Sequence, residues 1–198
     1  MSNPDGSSIL KAQQGDAEAF TVIVETYQKP VYNLCFRMLG TEQEAEDAAQ
    51  ETFWRAYQNL NRYDSTRPFI TWVLSIAAHH CIDQQRRRRF ISVDIDDLAE
   101  SLPHDRAIDP EWAACAGEHE NEINDLLHKL DPKDRAAIIM KYWYDFSEIE
   151  ISTSLGFSVS AVKSRLFRAR RQLAKLMTSR NGFPVPSEKE HYEPSTLQ

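Results

Sequence analysis

From Phe20 to Met38 the apolar residues Phe20, Ile23, Val24, Tyr27, Val31, Leu34, Cys35 and Met38 recur at spacings of three and four. That period belongs to a helix with one buried face, and Gly40 follows as its C-terminal cap. Pro30 predicts a bend or an interruption in this helix, because proline lacks the amide hydrogen that the ladder needs. Thr41 to Glu44 is a capping-box pattern that opens a second helix, with its own stripe at Ala45, Ala48, Ala49, Thr52, Phe53, Ala56 and Leu60. Turn formers from Asn61 to Pro68 come next, and Pro68 can start a third helix that ends in Arg86, Arg87, Arg88 and Arg89.

The pattern returns after a gap. Ile123, Leu126, Leu127 and Leu130 form a stripe, Asp131 and Pro132 cap and start the next helix, and Ser147 with Glu150 is another capping box. Gly156 ends that short helix and Ser158 can cap the last one. With 41% hydrophobic residues and only six glycines in 198 residues, the chain is predicted to be all-α, as two small helical domains joined by an acidic flexible linker. The boundaries expected are residues 1–91, a linker over 92–117, a second domain over 118–180 and a flexible tail over 181–198.

Charge divides the chain further. Ser92 to Asp125 holds eleven acidic residues against one arginine, whereas Ser158 to Arg180 holds seven cations and no acid in a chain of net charge −7. Such opposite islands on one chain predict a compact free protein. The linker would stretch about 80 to 90 Å if extended, at roughly 3.3 to 3.6 Å per residue.

The final pair of helices, joined through Gly156, reads as a helix-turn-helix. Ile151, Leu155, Val162 and Leu166 fill the space between the pair, while Ser160, Lys163, Ser164, Phe167, Arg168 and Arg171 lie on the other face of the last helix. Cations there neutralise phosphates, and the arginine fork matches the guanine edge in a major groove.

Asp47 to Asp64, "DAAQETFWRAYQNLNRYD", followed by "PFITWVLSIAAHHCIDQQRRRR", resembles region 2 of the extracytoplasmic-function (ECF) sigma factors of bacterial RNA polymerase, members of the sigma-70 family. Leu130 to Leu173 resembles their region 4. The resemblance implies an alternative sigma factor that binds core RNA polymerase and directs it to promoter DNA. It implies that Asp47, Gln50 and Glu51 meet the clamp of the largest subunit, with a further contact of the chain at the flap region. It implies that Asn61, Arg62, Tyr63, Asp64 and Ser65 receive an unpaired base of the minus-ten element, with Arg86, Arg87, Arg88 and Arg89 on the backbone. It assigns the minus-thirty-five element to Ser158, Ser160, Lys163, Ser164, Arg165, Arg168 and Arg171. It also implies an anti-sigma factor as partner, and a linker that mimics nucleic acid in the polymerase channel.

The chain departs from the family pattern at Ala78-His79, where many members have Arg-Asn, and at Trp72-Val73, where housekeeping members carry an aromatic pair. Trp72 reads as core in preference to a wedge against the duplex. No Gly-rich phosphate loop, HExxH or GxSxG occurs, so no catalytic residue, metal or cofactor is expected. The free chain is expected to be a cytoplasmic monomer without membrane insertion, since it has no long apolar run and its N-terminus lacks signal-peptide character. Cys35, Cys81 and Cys115 are widely spaced and read as core residues. The alternative reading is a stand-alone helix-turn-helix regulator.

Overall fold

The computed structural model describes residues 6–95 and 118–181, which form eight α-helices and one 3-10 turn, without strands. The first unit comprises α1 (Gly6–Gln13), α2 (Ala17–Leu39), α3 (Glu42–Asn59), the 3-10 turn Leu60–Arg62 and α4 (Phe69–Ile95). The second comprises α5 (Glu118–His128), α6 (Pro132–Trp143), α7 (Glu148–Leu155) and α8 (Val159–Asn181). The expected linker 92–117 thus begins inside α4, and from residue 96 to 117 it lies outside the described residues. So does the tail beyond Asn181.

Local chemistry fixes the ends of the helices. Asp16 accepts from the amides of Glu18 and Ala19 at 3.0 and 3.1 Å and starts α2. Gly40, at φ 93°, closes it through its amide to the Phe36 carbonyl. That left-handed conformation suits glycine because it lacks a Cβ. α2 runs through Pro30 without interruption. Ile23 and Tyr27 on one side of the proline and Val31 and Leu34 on the other bury in the same core, and Pro30 is itself buried. Helix α1 had no sequence signal: it is eight residues long and buries only Ile9 and Ala12.

The two units pack directly on one another. α2 and α4 meet α5, α6 and α7, and one hydrophobic core runs from Leu34, Met38 and Ala77 to Leu127, Ile139 and Ile151. Arg135, only 4% exposed, joins the units. Its Nε donates to the Leu127 carbonyl at 2.8 Å and its Nη2 to the His128 carbonyl at 2.7 Å, both within its own unit, while Nη1 reaches across to the Met38 carbonyl. The Tyr144 hydroxyl donates to the Pro30 carbonyl at 2.6 Å, Arg37 lies 5.1 Å from the centre of the Trp143 ring, and Gly40 faces His128. Compactness was anticipated from charge. Among the described residues it rests instead on apolar burial and on donors that satisfy the backbone at the end of α2 and at Pro30.

Candidate protein-docking and nucleic-acid surfaces

Helix α3 buries Ala45, Ala48, Thr52, Phe53 and Ala56 against α2 and α4, which leaves the other side to solvent. Thr41 starts it by accepting from the Glu44 amide at 3.4 Å. Asp47 and Gln50 are exposed, and Glu51 is half-buried with a carboxylate oxygen 2.6 Å from Nε of Arg55. Trp54, 57% exposed, continues that surface one turn on. Sequence reasoning passed over it. The signal was there: an aromatic seven residues after Asp47 that falls outside the apolar stripe.

The connection from α3 to α4 is held from within. Gln13 of α1 donates to the carbonyls of Leu60 and Tyr63 at 3.0 and 3.4 Å. Asn61, Arg62, Asp64 and Ser65 are exposed. Asp64 accepts from the Thr66 amide at 3.0 Å, and hydrogen bonds from Thr66 hold its carboxyl below the usual range. Tyr63, unlike its four neighbours in that assignment, is turned inward. It is 8% exposed, its ring packs 5.1 Å from Phe69 and 5.2 Å from Trp72, and its hydroxyl donates to the Arg67 carbonyl. Burial, and then Asp64, push its hydroxyl pKa up. Trp72 is half-buried: it joins this aromatic cluster and also borders a groove toward solvent.

Of the four arginines that end the expected third helix, Arg86 and Arg87 are exposed, and the side chain of Arg89 lies outside the described residues. Arg88 is half-buried and ion-paired with Glu44 of α3, and desolvation lowers its pKa. At the departure site Ala78 is buried, whereas His79 is exposed with Nδ1 2.8 Å from the Ser75 carbonyl. Cys35 and Cys81 are free and buried; a thiol hydrogen bond to Cys35, with burial, raises the Cys81 pKa. Cys115 lies outside the described residues.

In the second unit Asp131 accepts from the Lys133 amide and starts α6. Ser147 and Glu150 complete the capping box of α7, and Gly156, at φ 69°, ends it. Ser158 then accepts from the Ala161 amide at 3.2 Å and starts α8. Val162, Leu166 and Ala169 are buried, and Ser158, Ser160, Lys163, Ser164, Phe167, Arg168 and Arg171 are exposed. α8 packs on α5, α6 and α7 and on no described helix of the first unit, so among the described residues nothing covers this face. Arg165 departs from its assignment. It turns inward over the Phe157 ring, 4.5 Å from its centre, and its Nη1 lies 2.5 Å from Asp134, itself buried on α6. Arg168 is 60% exposed at its side chain, with a looser 3.7 Å approach to the same carboxylate.

The Sigma-70 region 2 family matches residues 23–91 and the Sigma-70 region 4 family matches residues 120–173. The ECF RNA polymerase sigma factor SigW of Bacillus subtilis (strain 168) is 36% identical over 174 residues, covering 84% of this chain and 93% of that protein. RNA polymerase sigma-H factor of Pseudomonas aeruginosa is 31% identical over 181 residues, covering 87% and 93%. Among solved structures, CnrH in complex with the cytosolic domain of CnrY superimposes with a TM-score of 0.65 at 26% identity, covering 89% of this chain and 99% of that one. The helical fold, the helix-turn-helix and these matches in their order place the chain in the ECF group of the sigma-70 family, as an alternative sigma factor.

Proposed function

We propose that this sigma factor docks on core RNA polymerase through Asp47, Gln50, Glu51 and Trp54 of α3. The α3–α4 connection around Asn61, Arg62, Asp64 and Ser65, with Arg86 and Arg87, takes the minus-ten element. Ser158, Ser160, Lys163, Ser164, Arg168 and Arg171 of α8 take the minus-thirty-five element. The observation that carries this reading is the uncovered face of α8, cationic and without an acidic residue from Ser158 to Arg180, at the second position of a helix-turn-helix. Backbone neutralisation and base reading both follow from those residue types. The chain acts as an initiation factor rather than as an enzyme, and works in the cytoplasm. No described helix is long and apolar enough to cross a membrane.

A regulatory protein is a second partner in this reading, since CnrH was solved with the cytosolic domain of CnrY. An anti-sigma factor that covers the α3 face or holds the two units together would block polymerase. Gel filtration with core polymerase, followed by transcription from genomic fragments in vitro, tests the whole proposal. Stoichiometric co-elution and promoter-dependent transcripts are expected. A chain that elutes apart from core polymerase would overturn it.

A further inference from the structure

Asp134 stands in the first turn of α6, where the positive end of the helix favours a carboxylate. Two arginines of α8 reach it. Nη1 of Arg165 lies 2.5 Å from Oδ1, and Nη2 of Arg168 lies 3.7 Å from the same oxygen. Residues three apart are neighbours on a helix surface, so one carboxylate serves both. The two arginines differ in what else they can do. Arg165 is turned inward against the Phe157 ring, whereas Arg168 belongs to the exposed face that carries Ser160, Lys163, Ser164 and Arg171.

A guanidinium 3.7 Å from a carboxylate oxygen is attracted to it but stands beyond hydrogen-bond distance. The contact therefore biases where the Arg168 fork points and uses none of its five N–H donors. From Ser158 to Arg180 the chain holds seven cations and no acid. Nothing within that segment opposes the pull of phosphate, which is the same for every DNA sequence. Asp134 brings one negative charge to this surface from another helix, on a side chain only 11% exposed and so fixed in place. Reading a base edge needs a fork held in one plane, and an untethered arginine loses rotamer entropy when it is ordered there.

We propose that Asp134 is a positioning residue that sets the sequence discrimination of α8. It offsets the charge of Arg168, which lowers affinity for phosphate in general, and it keeps the fork aligned for a base edge. The proposal rests on the reading of α8 as the minus-thirty-five surface. It adds that discrimination there depends on a carboxylate of α6 beneath the exposed face.

Holoenzyme is titrated by fluorescence anisotropy, at several salt concentrations, with two duplexes. One bears the upstream element of a promoter recovered by in vitro transcription from genomic fragments, and the other has that element shuffled. Asp134→Asn keeps an acceptor for Arg165 and removes the charge. It is expected to bind the shuffled duplex about two- to fivefold more tightly, to cut the ratio of the two affinities by about three- to tenfold, and to steepen the log–log salt dependence by up to about one. Asp134→Glu, which retains the charge, should recover most of the parental ratio. In an Arg168→Ala background, Asp134→Asn should leave the ratio as it stands, because it acts through Arg168. Asp134→Leu with Arg165→Met removes the inward pair together, so that no unpaired charge is buried and net charge is unchanged. It too should lower the ratio, and it carries the test if Asp134→Asn melts below the assay temperature. A purely structural Asp134 would instead lower the melting temperature and weaken both duplexes by the same factor. That outcome, a parental ratio in Asp134→Asn, or a fall in ratio that persists with Arg168→Ala would overturn the proposal. Equal binding of the two duplexes by the parent holoenzyme would overturn the reading of α8 itself.

Discussion

The carboxylate of Glu51 lies 2.6 Å from Nε of Arg55, one helical turn on along α3. Glu51 belongs to the face that carries Asp47 and Trp54, and Arg55 belongs to the groove that carries Trp72 and His79. One ion pair therefore stands at the border of two surfaces. Both side chains are about 40% exposed, so the pair adds only a few tenths of a kcal/mol to stability.

Replacing Asp47, Gln50 and Glu51 together by alanine is expected to weaken binding to core polymerase by about tenfold or more, and Trp54→Ala by a similar factor. Circular dichroism should remain that of the parent, because none of the four side chains is buried. A triple variant that stays helical and still competes for core polymerase as well as the parent would remove this face from the interface.

Arginines of α8 are expected to divide into two kinds. Arg168→Ala and Arg171→Ala should lower promoter affinity with little change in melting temperature, and a base-reading position should cost about 1 to 3 kcal/mol on one promoter position. Arg165→Ala should instead destabilise the second unit by about 1 to 3 kcal/mol, since it leaves Asp134 buried beside a lost partner. Thermal melts beside DNA titrations distinguish them. An Arg165→Ala variant with parental stability would contradict this division.

Tyr144→Phe removes one hydrogen bond to the Pro30 carbonyl and nothing else. It should weaken the contact between the two units by about 1 kcal/mol, roughly a fivefold shift toward separated units. Small-angle scattering should show a larger radius of gyration, and amide exchange should quicken near Met38. Unchanged scattering and unchanged exchange would show that this bond does not hold the units together.

His80 gives stability a pH dependence. Burial first, and then Arg55 and Arg87, lower its pKa against the opposing pull of Glu51 and Asp83. The unfolded chain then binds more protons in the window between the folded value and about 6.5. Stability should be full above that window and fall as pH drops through it, modestly because His80 is only half-buried. Melts between about pH 7.5 and pH 5.5 should therefore slope less for His80→Gln than for the parent. An identical slope would assign the effect elsewhere.

Caps and stripes carried most of the fold in the sequence, because both are local: Thr41, Asp131, Ser147 and Gly156 each act within a few residues. What escaped was long-range. Nothing near Arg165 in sequence announces Asp134, and nothing near Arg88 announces Glu44, so both arginines read as surface cations. Tyr63 read as a loop tyrosine because Phe69 and Trp72 reach it only when α4 folds back. Helix α1 is too short for its period to register, yet its Gln13 holds the loop where the unpaired base is expected. The packing of the two units was equally hidden, since Arg135 and Met38 stand 97 residues apart.

That packing sets a scale. A compact body of the 154 described residues has a radius of gyration of about 15 Å, whereas promoter elements named for positions 25 base pairs apart are separated by about 85 Å of duplex at 3.4 Å per pair. While Arg135 stays on the Met38 carbonyl, a body of that size spans less than half of that length, so under the proposed function the hydrogen bonds between the units would have to break before one chain could reach both elements.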